Sequence, residues 1–282
     1  MERLRTPAAM RAWADARRAE GARIGLVPTM GYLHEGHVSL VRVAKEAGSE
    51  AVAASIFVNP TQFGPGEDFE KYPRDEARDM EMLDAAGVDA VYLPGVRDMY
   101  PEGHQTFVEA TGVSQGLCGA ARPGHFRGVA TVVAKLFLAA KPHVAVFGEK
   151  DYQQLAVIRA MNRDLDFGIE IVGAPIVREE DGLAKSSRNV YLKGDDRIAA
   201  RCLSRGLFRA KELFGKGERD AGTLVAAAGA AIEGEPLAKL EYAEGRDTVT
   251  LTPLSGKVGA ITILVAAKVG PARLIDNITL GE

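Results

Sequence analysis

The chain has 282 residues, 46% hydrophobic and 26% charged, a balance that excludes wholesale disorder, collagen-like repeats and coiled coil as dominant states. At roughly 150 residues per domain this length suits about two domains. Lys plus Arg total 35 against 38 Asp plus Glu, a formal net charge of −3 at pH 7. Proteins that bind nucleic-acid backbones carry a basic excess, so that class is disfavoured, although a local basic pocket for a small anion is compatible with near-neutral net charge.

No run of about 18 apolar residues occurs, so no membrane span is expected. The first 21 residues scatter charges and lack the apolar stretch of a secretory signal. The two cysteines, Cys118 and Cys202, are far apart and form no CxxC pair. A disulfide scaffold and a cysteine zinc site are therefore not expected, and two reduced thiols point to a cytoplasmic protein.

Thr6 and Pro7 suit the N-cap and first position of a helix that carries Met10, Trp13 and Arg17 and stops at Gly21. A short apolar strand follows at 24–28, then a helix at 37–47 with Leu40, Val41 and Ala44 on one face. The pattern repeats: strand 51–58, helix 75–86, strand 90–93, helix 126–139, strand 143–147, helix 151–165, strand 169–177. Val129, Val132, Val133, Leu136 and Phe137 recur at helical spacing and mark a core-facing stripe. Strands alternating with helices imply a parallel sheet covered on both faces, and such sheets bind ligands beyond the carboxyl ends of their strands. The long loops 59–74 and 94–105 lie there. After Val177 the texture changes to a loop at 178–189, helices at 196–214 and 221–232, and strands at 240–243, 248–251 and 260–267. The expected division is a parallel-sheet domain at 1–177 and a smaller α+β domain at 178–282.

The strand ends carry the chemistry. The first runs into Met30, Gly31, Tyr32, Leu33, His34, Glu35, Gly36 and His37, two histidines three apart where a loop becomes a helix. A helix N-terminus favours an anion, Gly36 permits close backbone approach, and imidazoles can donate to phosphate oxygens. The same histidines also suit simple capping. HExxH zinc sites need histidines four apart, which this turn lacks. A second strand ends in Gly148, Glu149, Lys150 and Asp151, where Lys150 is either a phosphate contact or a solvated charge beside a capping Asp151. After the last strand come Lys185, Ser186, Ser187 and Arg188, hydroxyls between basic groups in a loop able to wrap a polyphosphate. Asn59 and Gln62 follow the second strand, and Arg122 with Gly124, His125 and Gly128 precedes a helix. No P-loop, complete GxGxxG or GxSxG elbow is present.

These stretches, in this order, resemble the pantothenate synthetase (pantoate–beta-alanine ligase) family of the nucleotidyltransferase superfamily, which includes class I aminoacyl-tRNA synthetases. The resemblance covers nearly the whole chain and is carried by residues 27–37, 55–63, 125–137, 147–155 and 181–192. It implies a Rossmann-like doubly wound parallel sheet with a smaller α+β C-terminal lid domain and a homodimer. The implied activity is condensation of pantoate with beta-alanine using ATP and Mg2+, through a pantoyl adenylate, giving pantothenate, AMP and pyrophosphate. ATP is then expected against Met30, Gly31, Tyr32, Leu33, His34, Glu35, Gly36 and His37, against Gly148, Glu149, Lys150 and Asp151, and against Val177, Lys185, Ser186, Ser187 and Arg188. His34, His37, Lys150 and Arg188 would carry the catalysis. Gln62, Gln154, Asn59 and Arg122 would bind pantoate, with Gln62 also near beta-alanine. Position 185 departs from the family, which often has methionine there, and Asp79 aligns loosely with an aspartate near magnesium. Two other readings remain: a nucleotidyltransferase acting on a phosphorylated acceptor, and a nucleotide-binding regulatory module without turnover.

Overall fold

A computed structural model describes residues 1–281. The chain forms two compact units: residues 1–149 with 157–175, and residues 150–156 with 176–282. The segment 150–156 thus groups with the C-terminal part of the chain.

The first unit is built on a six-stranded sheet, every pairing parallel, in the order β1-β4-β3-β2-β5-β6. Its strands are β1 (Glu2–Leu4), β2 (Ile24–Thr29), β3 (Ala51–Ile56), β4 (Ala90–Tyr92), β5 (Val144–Gly148) and β6 (Glu170–Ala174). From β2 the chain steps outward one way through β3 and β4, then returns to lay β5 and β6 on the other side. The switch point therefore lies between β2 and β5, where an open α/β sheet leaves a crevice beyond its carboxyl ends. This is the Rossmann-like order expected, with β1 added at the edge. A three-residue strand has too little pattern to be legible in the sequence.

Both faces are buried because alternate strand residues point opposite ways. Val27, Val52, Ala54, Val91, Val144 and Val146 pack with Leu40, Val41 and Ala44 of α2 (Glu35–Glu46) and Met80 and Leu83 of α3 (Glu76–Ala85). On the opposite face Phe147 meets Phe137 of α6 (His125–Ala140) edge to face, and Phe137 also meets Phe167. The expected α6 stripe is buried throughout. Thr6 caps α1 (Pro7–Ala19) by accepting the Ala9 N–H, and the first turn carries Pro7 as its composition suggests. Two short helices are absent from the sequence reading: α4 (Val96–Met99), in the loop 94–105, and α5 (Leu117–Ala121), before α6. Strand β6 is shorter than the 169–177 expected, and α7 runs over Tyr152–Asp164.

The second unit packs α8 (Gly194–Ala199), α9 (Cys202–Gly215) and α10 (Ala221–Glu233) with the antiparallel sheet β7 (Ala238–Arg246), β8 (Ile261–Val269) and β9 (Ala272–Leu280). Three expectations fail here. The single helix at 196–214 is two, because the Arg201 N–H tightens to the Ile198 carbonyl and interrupts the α ladder. The strand at 248–251 is a turn: the Asp247 carboxylate accepts from the Val249 and Thr250 N–H groups, which overrides the β propensity of Thr248 and Val249. Strand β9, nine residues long, was not anticipated.

Candidate functional site

The turn after β2 is held by a carboxylate from another element. Asp79 of α3, 1% exposed, accepts the backbone N–H of Tyr32 at 2.7 Å and of Leu33 at 2.6 Å. Burial pushes the Asp79 pKa above its usual value, against the pull of these two donors and of Arg78. Gly31 sits at φ 82° in the left-handed region, and a Cβ there would lie 3.0 Å from both the Asp79 carboxylate and Ile56. Tyr32 also has positive φ, and the Arg78 guanidinium covers its ring.

The two histidines cap α2 reciprocally. The His34 Nδ1 accepts the Gly36 N–H at 3.1 Å, and the His37 Nδ1 accepts the His34 N–H at 3.3 Å. Their rings lie against each other, tilted by 37° with centroids 4.0 Å apart. Capping and phosphate binding are compatible: a ring whose Nδ1 accepts must, when neutral, carry its proton on Nε2, so the cap leaves each imidazole with an Nε2–H donor. Gly148 ends β5, next to β2 in the sheet, and Glu149 continues the chain from it.

Gln62 links three segments of the first unit. Its Oε1 accepts from Asn59 Nδ2 at 3.1 Å and its Nε2 donates to the Met30 sulfur at 3.1 Å, joining the segments after β2 and β3. Its main-chain carbonyl accepts from Arg122 Nη2 at 3.2 Å and lies 2.8 Å from His125 Nδ1. Arginine only donates and a carbonyl only accepts, so His125 must carry its proton on Nδ1 and accept from Arg122 Nη1, 3.0 Å away, on Nε2. Asn59, 1% exposed, also bonds the Gly128 carbonyl, and its Oδ1 accepts from Tyr100 Oη at 2.8 Å. Burial raises the Tyr100 pKa. Gly128 permits this packing, since a Cβ there would meet the Thr61 carbonyl oxygen at 2.3 Å.

Arg122 is engaged by Glu67 through two parallel bonds, Nε to Oε1 at 2.7 Å and Nη2 to Oε2 at 2.6 Å. Burial works to raise the Glu67 pKa, but the Arg122 hydrogen bond and charge outweigh it and hold the carboxyl below its usual range. Arg122 in this structure therefore ties the loop after β3 to the start of α6. Sequence reasoning missed Glu67 and Tyr100.

The remaining expected residues lie in the second unit. Lys150 forms an ion pair with Asp151 at 3.7 Å, and Gln154 lies half-buried on α7. Val177 and Lys185 close a hairpin, the Lys185 N–H bonding the Val177 carbonyl at 2.9 Å. The Lys185 ammonium pairs with Glu179 at 3.3 Å. Ser186 caps the 3-10 turn Ser187–Tyr191 by accepting the Arg188 N–H. Ser187 is buried.

Among the described residues no group of three His, Cys, Asp or Glu side chains is placed to hold a metal. Each Asp79 oxygen accepts one main-chain N–H, from Tyr32 and from Leu33. No helix among the described residues is long and apolar enough to cross a membrane. Cys118 and Cys202 are buried, and burial pushes the Cys202 thiol up to about 11.

Residues 2–279 match the family model described as pantoate-beta-alanine ligase. The chain is 53% identical over 271 residues to a pantothenate synthetase of Heliobacterium modesticaldum, covering 96% of each, and 54% identical over 281 residues to one of Myxococcus xanthus, covering 99% of this chain and 96% of that one. The crystal structure of pantothenate synthetase from Thermus thermophilus superposes with a TM-score of 0.93 at 48% identity, covering 99% of each chain. A pantoate-beta-alanine ligase from Francisella tularensis, complexed with beta-gamma ATP and beta-alanine, superposes with a TM-score of 0.77 at 32% identity over 99% of this chain and 97% of that one. With a parallel sheet that switches direction beside the histidine turn and a match along nearly its whole length, the chain belongs to the pantoate–beta-alanine ligase family.

Proposed function

We propose that the chain condenses pantoate with beta-alanine using ATP, through a pantoyl adenylate. The observation that carries this reading is the family match across residues 2–279. A pantoate carboxylate oxygen attacks the α-phosphorus of ATP, and the bond to the leaving pyrophosphate breaks. The neutral amine of beta-alanine then attacks the acyl carbon of the adenylate, the amide bond forms, and AMP departs with the electron pair. The amine gives up its proton, and no covalent enzyme intermediate is needed.

Two anions must meet in the first step while charge moves to pyrophosphate, so preorganised donors matter more than a protein nucleophile. In the first unit, His34 and His37 offer Nε2–H donors from rings whose orientation is fixed by the α2 cap, and Met30 through Leu33 form a turn pinned by Asp79. Gln62, with its side chain held by Asn59 and Met30, binds pantoate and lies near beta-alanine. In the second unit, Lys150, Ser186, Ser187 and Arg188 are the phosphate donors and Gln154 a pantoate contact. Orientation of both reactants supplies much of the acceleration in the second step. Magnesium enters with the triphosphate, its usual mode of binding, and no step is assigned to it. On this reading the protein is a cytoplasmic homodimer acting on small molecules, a setting that suits its two buried thiols.

The test is product analysis. Incubation with ATP, pantoate and beta-alanine is expected to give pantothenate and AMP in equal amounts. Formation of ADP, a dinucleotide-like product, or no pantothenate from folded protein would overturn the assignment.

A further inference from the structure

The middle of β9 holds two adjacent polar residues, Asp276 and Asn277, only 3% and 4% exposed. Buried polar side chains weaken a sheet unless they are partnered, so their partners indicate their purpose. Asp276 receives both arms of Arg178, from Nη1 at 2.7 Å and from Nη2 at 3.0 Å. Arg178 Nη1 also donates to the Gly182 carbonyl, and the Arg178 backbone bridges Ala184, closing the hairpin from which residues 185–188 emerge. The Phe208 ring lies under the same guanidinium.

Successive strand side chains point to opposite faces, and Asn277 reaches a different segment. Its Nδ2 donates to the Lys150 carbonyl at 3.0 Å. Two residues on, Tyr152 Oη donates to the Thr248 carbonyl at 2.7 Å, in the turn organised by Asp247. The pair is itself linked, because the Asn277 N–H donates to Asp276 Oδ1 at 2.8 Å. One dipeptide on one strand thus holds both the Lys150 segment and the hairpin that carries Lys185, Ser186, Ser187 and Arg188.

We propose that Asp276 and Asn277 are a positioning pair that fixes the spacing between these two segments and so sets the affinity for ATP. This rests on the reading that both segments meet the triphosphate. The pair itself touches no reactant. A phosphate is gripped well only by donors held at fixed separations by supporting contacts, and here those contacts converge on two residues far along the chain.

The test is calorimetric titration with magnesium and ATP alone, together with steady-state kinetics. Asn277→Asp keeps the side-chain shape but replaces the amide donor with an acceptor facing the Lys150 carbonyl. ATP binding is expected to weaken about tenfold, with the KM for pantoate and kcat at saturating ATP staying within about threefold of wild type. As a control, Thr279→Val, which removes the Thr262–Thr279 hydroxyl contact elsewhere on β9, leaves ATP binding within about twofold. The proposal is overturned if Asn277→Asp binds ATP within about twofold of wild type, or if Thr279→Val weakens it equally. Should Asn277→Asp not fold, Arg178→Lys decides: loss of the guanidinium fork is expected to weaken ATP about fivefold, and a change under about twofold overturns the proposal. Failure of the wild-type protein to bind ATP would instead sink the ligase reading itself, before any variant is compared.

Discussion

Two loops of this protein carry basic or imidazole donors, and each is fixed by a buried aspartate from a distant part of the chain. In the turn after β2, Asp79 grips main-chain amides directly, at 2.7 and 2.6 Å. In the second unit, Asp276 grips the guanidinium of Arg178, and residues 185–188 follow from the hairpin that Arg178 closes. The first arrangement fixes the backbone itself. The second acts through a long side chain and leaves the loop one link further from its anchor. A direct grip on amides is expected to make the histidine turn stiffer, and damage to it more nearly all-or-none, while damage to the second loop is graded.

The largest expected effect follows from removing the direct grip. Asp79→Ala orphans two buried N–H groups and is expected to lower unfolding free energy by about 3 kcal/mol in chemical denaturation. A loss below about 1 kcal/mol would show that the turn keeps its shape without the carboxylate and would erase the contrast. The next effect is functional. His37→Ala is expected to cut pantoate-dependent adenylation at least about a hundredfold with folding unchanged, whereas a loss under about threefold would reduce His37 to a structural cap.

Gly128→Ala sharpens the comparison by disturbing the first unit without touching the histidine turn. A methyl group there runs into the Thr61 carbonyl, so α6 must move away from Asn59 and Gln62. Loss of about 2 kcal/mol in stability and a raised KM for pantoate are expected, with the KM for ATP changed less. An equal rise in both would mean that the Gln62 and histidine segments move as one body.

The smallest effect concerns Glu67, partly exposed and paired with Arg122. Its folded pKa lies below the usual carboxylate value, so the pairing stabilises the fold above that usual value and is lost as pH falls through the folded one. Glu67→Gln is expected to cost about 1 kcal/mol at neutral pH and to flatten the decline in stability below about pH 4.5. An unchanged acid-unfolding profile would place the stabilising charge elsewhere.

The same contrast explains what the sequence made legible. The strand–helix alternation, the α6 stripe and the histidine turn were readable because each depends on neighbours within a few residues. The capping by His34 and His37 was half legible, because a sequence does not show which ring nitrogen is committed to the cap. Strand β9 was hidden because Asp276-Asn277 in its centre reads as a turn dipeptide, its partner Arg178 lying 98 residues away. The opposite error arose at 248–251, where β-branched residues suggested a strand but Asp247 organised a local turn. Nothing in the stretch around Arg122 announces its partner Glu67, 55 residues earlier. Long-range polar pairs leave no periodic trace, and they are what fix the candidate site.

The most direct test of the central claim is isotope exchange between pyrophosphate and ATP with beta-alanine left out. If the reaction proceeds through a pantoyl adenylate, exchange will be rapid when pantoate is present and absent when it is omitted. Product formation from all three substrates without pantoate-dependent exchange would contradict a reversible, freely exchanging adenylate step. Exchange that does not require pantoate would contradict the account as a whole.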